Sequence, residues 1–428
     1  MRRSPRWRAV RTGLSTLAAL ALVASLPAPS RAAAPTKPTA SYIVVLRPGA
    51  SPDNVVAHLD RPVTVRDRFR TVINGFAADL DAGTRAQLST SPDVTDVVPD
   101  APVRLHQSRP ALSRASTSYQ ILPSAVVRVG ALQSPTAHID GQDQRVKADI
   151  AIVDSGIGQH PDLNVVGGTS CVGGSARSDG FGHGTALAGL AAAKDNHSGI
   201  VGVAPGARLW SVKVFDDHGA GSVGAVVCGL EWVANHAKTI DVANLSWGDV
   251  DPAVGGNCGF APASIDVVHQ SICKIVQRGV VAVAAAGNDS ADTAGVSPAG
   301  YPEVITVSAL ADGDGQPGGL DTQNLSYCAP SEHDDTFATF SNFGAAVDVA
   351  APGVCILSTA PGGSLVFGEM GTSFSAPLVS GAAALVKAKH PKWTPAQVRD
   401  QIVGTANGLP IPGDPDTFPE GVLNVTGF

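Results

Sequence analysis

The sequence predicts an α/β protein in three layers, a parallel sheet with helices on both faces, preceded by a small α+β unit. Three observations carry this. Apolar runs such as Ile150-Ala151-Ile152-Val153 and Val280-Val281-Ala282-Val283-Ala284-Ala285 read as buried parallel strands. Small-residue helical stretches, among them Ala186–Ala193 and Ser375–Lys389, are interleaved with such strands. That alternation implies a sheet covered on both faces. Ahead of it, a shorter β-α-β-α-β pattern runs from Ser41 to Val98.

In chain order, Met1-Arg2-Arg3 and the basic residues up to Arg11 precede the apolar run Gly13–Val23 and small residues around Ser30–Ala34. This reads as a secretory signal over residues 1–34. The run is shorter than the ~20 residues of a membrane span, so the mature protein is expected to be secreted, extracellular and free of membrane. Ser41–Leu46 reads as a strand, Pro52–Leu59 as a short helix and Ile73–Leu80 as an alternating strand. Thr84–Leu88 begins a second helix, and Val94–Val98 is a last strand. These elements make one unit over residues 35–106. His106–Tyr119 lacks periodicity and reads as a linker, part of a joining segment over 107–125. The large domain occupies 126–428, where Pro395–Thr405 is its closing helix and no further module or internal repeat is expected.

The 428 residues, 44% hydrophobic and 16% charged, suffice for a large core plus a smaller unit. A net charge of −7 argues against a nucleic-acid partner. All six cysteines follow residue 170 and suit an oxidising compartment. Six allow 15 pairings; the expected ones are Cys258–Cys273, close in sequence, with Cys171–Cys228 and Cys328–Cys355. No Cys/His cluster suggests zinc. Asp312-Gly313-Asp314-Gly315 reads as a solvated turn, because the rest of a calcium loop and its terminal Glu are missing.

Three glycine-marked segments carry chemistry. Gly371-Thr372-Ser373 runs into a small apolar helix, whose dipole and free N–H groups favour an oxyanion beside Ser373. Such a serine is a candidate nucleophile and requires a base and an orienting acid. Gly182-His183-Gly184-Thr185 places a histidine at the start of another helix, and Val153-Asp154-Ser155-Gly156 ends a buried strand in an acid. A carboxylate that holds the imidazole tautomer lets the histidine take the serine proton and return it. The chain order is Asp, His, Ser, and Ser375 replaces the second glycine of a G-x-S-x-G elbow, which argues against an α/β-hydrolase.

These blocks, with His160-Pro161-Asp162-Leu163, resemble the subtilisin-like serine peptidases. The resemblance implies a subtilisin-like fold and a secreted serine endopeptidase that works through an acyl-enzyme. Asp154, His183 and Ser373 would form the triad, and Asn288, in Gly287-Asn288, would supply an oxyanion donor with the Ser373 N–H. Ser246, Trp247 and Gly248 match one wall of the primary specificity pocket, and Ala285, Ala286 and Gly287 the other. Neither wall carries a charge, so an apolar or bulky side chain is expected before the cut; Val296 would make the pocket shallower. Gly219 and Gly221 match the edge segment that pairs with substrate. Phe374, Ser375 and Leu378 depart from the commoner Met, Ala and His.

The 35–106 unit resembles the family's inhibitory propeptide through Tyr42-Ile43-Val44 and Asn74-Gly75-Phe76. The resemblance therefore implies a zymogen that cuts itself close to His106, between Leu105 and Tyr119. Its partners are protein or peptide substrates and its own propeptide, and it acts as a monomer. It needs no redox or organic cofactor and no catalytic metal; structural calcium is common in the family, without ligands that can be carried over.

Overall fold

A computed structural model describes residues 39–105, 112–115, 117–250, 258, 265–321, 324–407 and 410–428. The expected signal, residues 1–34, lies outside these, as do residues 106–111 and 116 of the stretch where the cut is expected. Among the described residues no helix is long and apolar enough to cross a membrane.

The large domain is built on an eight-stranded sheet. Its order is Thr336–Phe337, Ile305–Ala311, Val281–Ala285, Val242–Leu245, Asp149–Asp154, Arg208–Lys213, Val165–Ser170, with Val349–Pro352 also paired to Ile305–Ala311. All pairings are parallel except that of Thr336–Phe337. The strands read as unbroken apolar runs because both faces are covered. In Asp149–Asp154 successive side chains alternate between the two layers. Ile150 and Ile152 join the core under the helices His183–Ala192 and Thr372–Lys389. Ala151 and Val153 join the core under Val223–Asn235 and Val267–Gln277. Disulfides link Cys171–Cys228, Cys258–Cys273 and Cys328–Cys355, with Cα separations of 6.0, 5.6 and 5.9 Å.

The Asp312 turn is not solvated as expected. Asp312 is buried, with Arg128 Nε 2.6 Å from Oδ2 and the Gly315 N–H donating to Oδ1 at 2.6 Å. Burial pushes its carboxyl up to about 7 against these contacts. Asp312, Asp314 and Asp334 stand close enough to share a cation, and the Arg128 guanidinium meets this acidic group at Asp312 and at the neighbouring Asp335.

The N-terminal unit is a four-stranded antiparallel sheet in the order Val65–Phe69, Gly75–Leu80, Ala40–Leu46, Val94–Pro99. Val65–Phe69 is a strand that the sequence pattern does not reveal. Arg66, Asp67 and Arg68 break the apolar signal; the strand tolerates them because it is an edge, where Arg66 bonds Asp100 and Arg68 bonds Asp53. One face packs under the helices Pro52–Ala57 and Ala82–Ser89 through Val44, Phe76, Leu80 and Leu88. The other face, with Ile43, Val45, Phe69 and Ala77, shares a core with Val226 and Leu230 of the large domain.

Polar bonds fix this seat. Glu231, on the helix Val223–Asn235, accepts the N–H groups of Arg70, Thr71 and Val72 at 2.8–3.1 Å. Asp100 accepts the Gly224 N–H at 2.7 Å in the first turn of that helix, where the macrodipole favours an anion. Beyond it, Pro102–Arg104 pairs antiparallel with Ala220–Ser222. The expected linker also contains structure. Leu112–Ala115 pairs antiparallel with Ser364–Phe367, and Gln120–Ile121 lies parallel to Gly199–Ile200.

Candidate active site

Asp154 ends its strand at the sheet's carboxyl edge, where open α/β sheets gather ligands, and is wholly buried. Its Oδ1 accepts the Ser155 N–H at 2.7 Å and stands 2.9 Å from His183 Nδ1. A carboxylate acceptor fixes the proton on Nδ1 and leaves Nε2 as the basic nitrogen. Phe374 and Phe181 meet the imidazole edge to face, at 5.4 and 6.4 Å between centroids. Phe374, a departure from the commoner residue, thus packs on the histidine.

Two acids near His183 were not singled out from sequence. Asp179 is buried and accepts from Ser155 Oγ at 2.9 Å, the Gly182 N–H at 2.8 Å and the Thr185 N–H at 2.8 Å. It therefore pins the start of the His183 helix to the strand end that carries Asp154. Glu369 lies on the strand that leads into Ser373. Burial pulls the His183 pKa down, but Asp154 by charge and hydrogen bond, with Glu369 and Asp179, outweighs it and raises the net value above the ordinary 6.5.

Ser373 sits in the first turn of Thr372–Lys389. Gly371 precedes it at φ +143°, in the region that favours glycine, and a Cβ there would lie 3.4 Å from Asn288 Nδ2. Ser373 Oγ donates to the Ser246 carbonyl at 3.2 Å, while Ser246 Oγ donates to the Ser373 carbonyl at 2.8 Å. Asn288 Oδ1 accepts the Thr372 N–H at 2.9 Å and Thr372 Oγ1 at 3.0 Å. A backbone N–H can only donate, so this bond fixes the amide orientation and leaves Nδ2 free of any acceptor among the described residues. Asn342 shapes the loop from beneath, donating to the Ala286 carbonyl and accepting the Asp289 and Ala291 N–H groups.

One cavity of about 400 Å³ gathers His183, Ser373, Asn288, Ser246, Trp247, Gly248, Ala285 and Gly287. Val296 lines it too, as the sequence suggested. Asp289 lines it too, outside the two expected walls, whose own residues carry no charge. Ala286 is buried behind the wall and does not line the cavity. Trp247 turns its indole N–H to the Val153 carbonyl, 3.0 Å away. Gly219 and Gly221 lie on the neighbouring edge, where Gly221 is opposite Val103 and the Gly219 carbonyl accepts the Leu105 N–H at 2.8 Å. Gly219 is held at φ +72° with Phe181 against it, leaving no room for a side chain. Arg104 and Leu105 reach the same cavity.

A second group of metal-ligand types, Cys258, His269, Cys273 and Glu303, lies elsewhere. Its two sulfurs are joined to each other, and His269 Nε2 bonds Glu303 at 2.7 Å.

The Subtilase family pattern matches residues 147–428, the whole sheet and both helices that carry His183 and Ser373. The chain belongs to the subtilase family. A second pattern, Peptidase inhibitor I9, matches residues 41–106. Subtilisin Savinase of Lederbergia lenta is 38% identical over 307 residues, 71% of this chain and 97% of that protein. The M-protease of Shouchella clausii is 37% identical over 314 residues, 73% of this chain and 71% of its own. Subtilisin E of Bacillus subtilis is 35% identical over 370 residues, 84% and 82% of the two chains. This subtilase is accordingly a serine endopeptidase that carries an inhibitor-type propeptide domain ahead of its peptidase domain.

Proposed function

We propose that Ser373 is the nucleophile of this subtilase, with His183 as general base and acid and Asp154 as the orienting carboxylate. The observation that carries this is one cavity shared by His183, Ser373 and Asn288, with Asp154 bonded to the far side of the imidazole. Ser373 Oγ turns from the Ser246 carbonyl to His183 Nε2, which takes its proton as Oγ attacks the peptide carbonyl. The tetrahedral oxyanion is held by Asn288 Nδ2 and the Ser373 N–H, a free donor at the helix start. His183 then protonates the leaving amine, and water hydrolyses the acyl-enzyme by the same steps.

The substrate preference is an apolar or bulky side chain before the cut. Ala285, Gly287 and Gly248 leave the space, and Val296 limits its depth. The protein is made with a secretory signal over 1–34, and residues 35–106 act as an inhibitor after self-cleavage. The cut falls close to His106, between Leu105 and Tyr119. Tethering makes this first cut intramolecular. The mature enzyme, from the joining segment 107–125 through 428, is extracellular and monomeric.

The test is a secreted Ser373→Ala protein. It is expected to accumulate as an uncut precursor apart from signal removal, and to escape labelling by a serine-directed phosphonylating reagent that marks the active enzyme. Mature protein with the same N-terminus, obtained without other proteases, would refute self-processing.

A further inference from the structure

Two short strands flank the stretch where the cut falls. Upstream, Pro102–Arg104 adds to Ala220–Ser222. Downstream, Leu112–Ala115 adds to Ser364–Phe367, with Leu112 opposite Phe367 and Ala115 opposite Ser364. The downstream strand thus runs away from the nucleophile, in the direction that a leaving chain takes.

The receiving strand is firmly placed. It belongs to Ser364–Glu369, which continues through Met370, Gly371 and Thr372 into Ser373. Its hairpin partner Ile356–Ala360 is bonded to the His183 helix, by Ser358 Oγ to the Ala186 carbonyl at 2.5 Å and Thr359 Oγ1 to the Thr185 carbonyl at 2.7 Å. Leu365 is buried in the core between the helices and the sheet. This edge is therefore fixed relative to both the base and the nucleophile. Without Leu112–Ala115 it would present open main-chain donors and acceptors. Such an edge takes an extended peptide by main-chain bonds with little regard to side chains.

We propose that Ser364–Phe367 is a docking edge for the polypeptide downstream of the cut, in substrates as in the protein's own precursor. The ligand is an extended, unfolded chain that continues several residues past the scissile bond and has no proline in the docked stretch. The upstream and downstream edges together make the subtilase a reader of long unfolded segments. This inference rests on the peptidase and self-processing reading above.

The experiment uses the self-processed enzyme and two synthetic peptides of its own sequence, residues 99–117 and 99–111. Both contain the bonds on either side of His106, where the cut is placed, but only the first can reach the downstream edge. The longer peptide is expected to have a kcat/KM about tenfold higher, the effect of one or two net hydrogen bonds. N-methylation of the four Leu112–Ala115 amides should return it to the value of the shorter one. Equal cleavage of the two peptides, or an advantage that survives N-methylation, overturns the docking edge and leaves the peptidase reading intact. Failure to cleave either peptide overturns the peptidase reading itself and the inference with it. Hydrogen exchange supplies the remaining arm. Amides of Ser364–Phe367 that are open in the enzyme and protected by the longer peptide support substrate docking. Amides already protected and unchanged by peptide would assign the edge to the enzyme's own N-terminal arm and overturn it.

Discussion

Asn288 Oδ1 accepts the Thr372 N–H at 2.9 Å, one residue before Ser373, so the same bond that anchors the nucleophile turn also aims Asn288 Nδ2. An oxyanion donor works only when it is held in place before charge develops. Asn288→Ala is expected to lower kcat by about 10²–10³ with a small change in KM. That range is the one measured for such a donor in a subtilisin. Steady-state kinetics on a peptide substrate check it. A rise in KM with kcat unchanged would remove Asn288 from the transition state.

The raised pKa of His183 has a direct consequence for pH dependence. As the proposed general base, His183 would have to be neutral to accept the serine proton, so kcat/KM should rise with pH through a value above 6.5. Glu369 contributes to that value through its charge. Glu369→Gln removes one negative charge and makes the imidazolium less favourable, so the acid limb should move to lower pH. Asp154 and Asp179 remain and should keep the limb from collapsing. A kcat/KM profile superimposable on the parent would rule out the coupling.

The Cys258–Cys273 bond closes a loop with a sequence separation of 15. Chain entropy for a loop of this size gives about 3 kcal/mol of stabilisation. Replacing both cysteines with serine should lower the unfolding free energy by roughly that amount, read in denaturant melts. The catalytic cavity does not include either residue, so kcat should hold. Unchanged stability would mean that the unfolded chain is already restricted there.

Asn288 was legible through the family resemblance of Gly287-Asn288 at the end of a buried strand, and Asp154, His183 and Ser373 were legible as candidates because each ends an apolar run or opens a small-residue helix. The two-faced sheet was legible for the same reason: Ile150 to Val153 can only be buried on both sides. Glu369 and Asp179 were not, because their effect on His183 comes from contacts that local spacing does not encode. Asp312 looked solvated until Arg128, from a distant segment, was brought against it. Val65–Phe69 was masked by its charges. Leu112–Ala115 shows no pattern because its pairing is made by the main chain.

The seat of the propeptide yields the last prediction. Glu231 collects three successive N–H groups, from Arg70, Thr71 and Val72, at the turn between two propeptide strands. These donors have no strand partner at the turn, and separation of the propeptide would leave the carboxylate without them. Hydrogen bonds to a charged acceptor contribute about 1.5–3 kcal/mol each. The value of even one corresponds to a roughly tenfold change in affinity. Glu231→Ala should therefore raise the inhibition constant of separately added propeptide 35–106 by at least about tenfold. The Asp100 bond to Gly224 and the apolar face around Phe69 should keep some inhibition. Glu231 is absent from the residues that line the cavity, so kcat/KM on a short peptide should be preserved. Titration of the mature enzyme with propeptide measures the effect. An unchanged inhibition constant would place the binding energy in the apolar face and the Pro102–Arg104 strand instead.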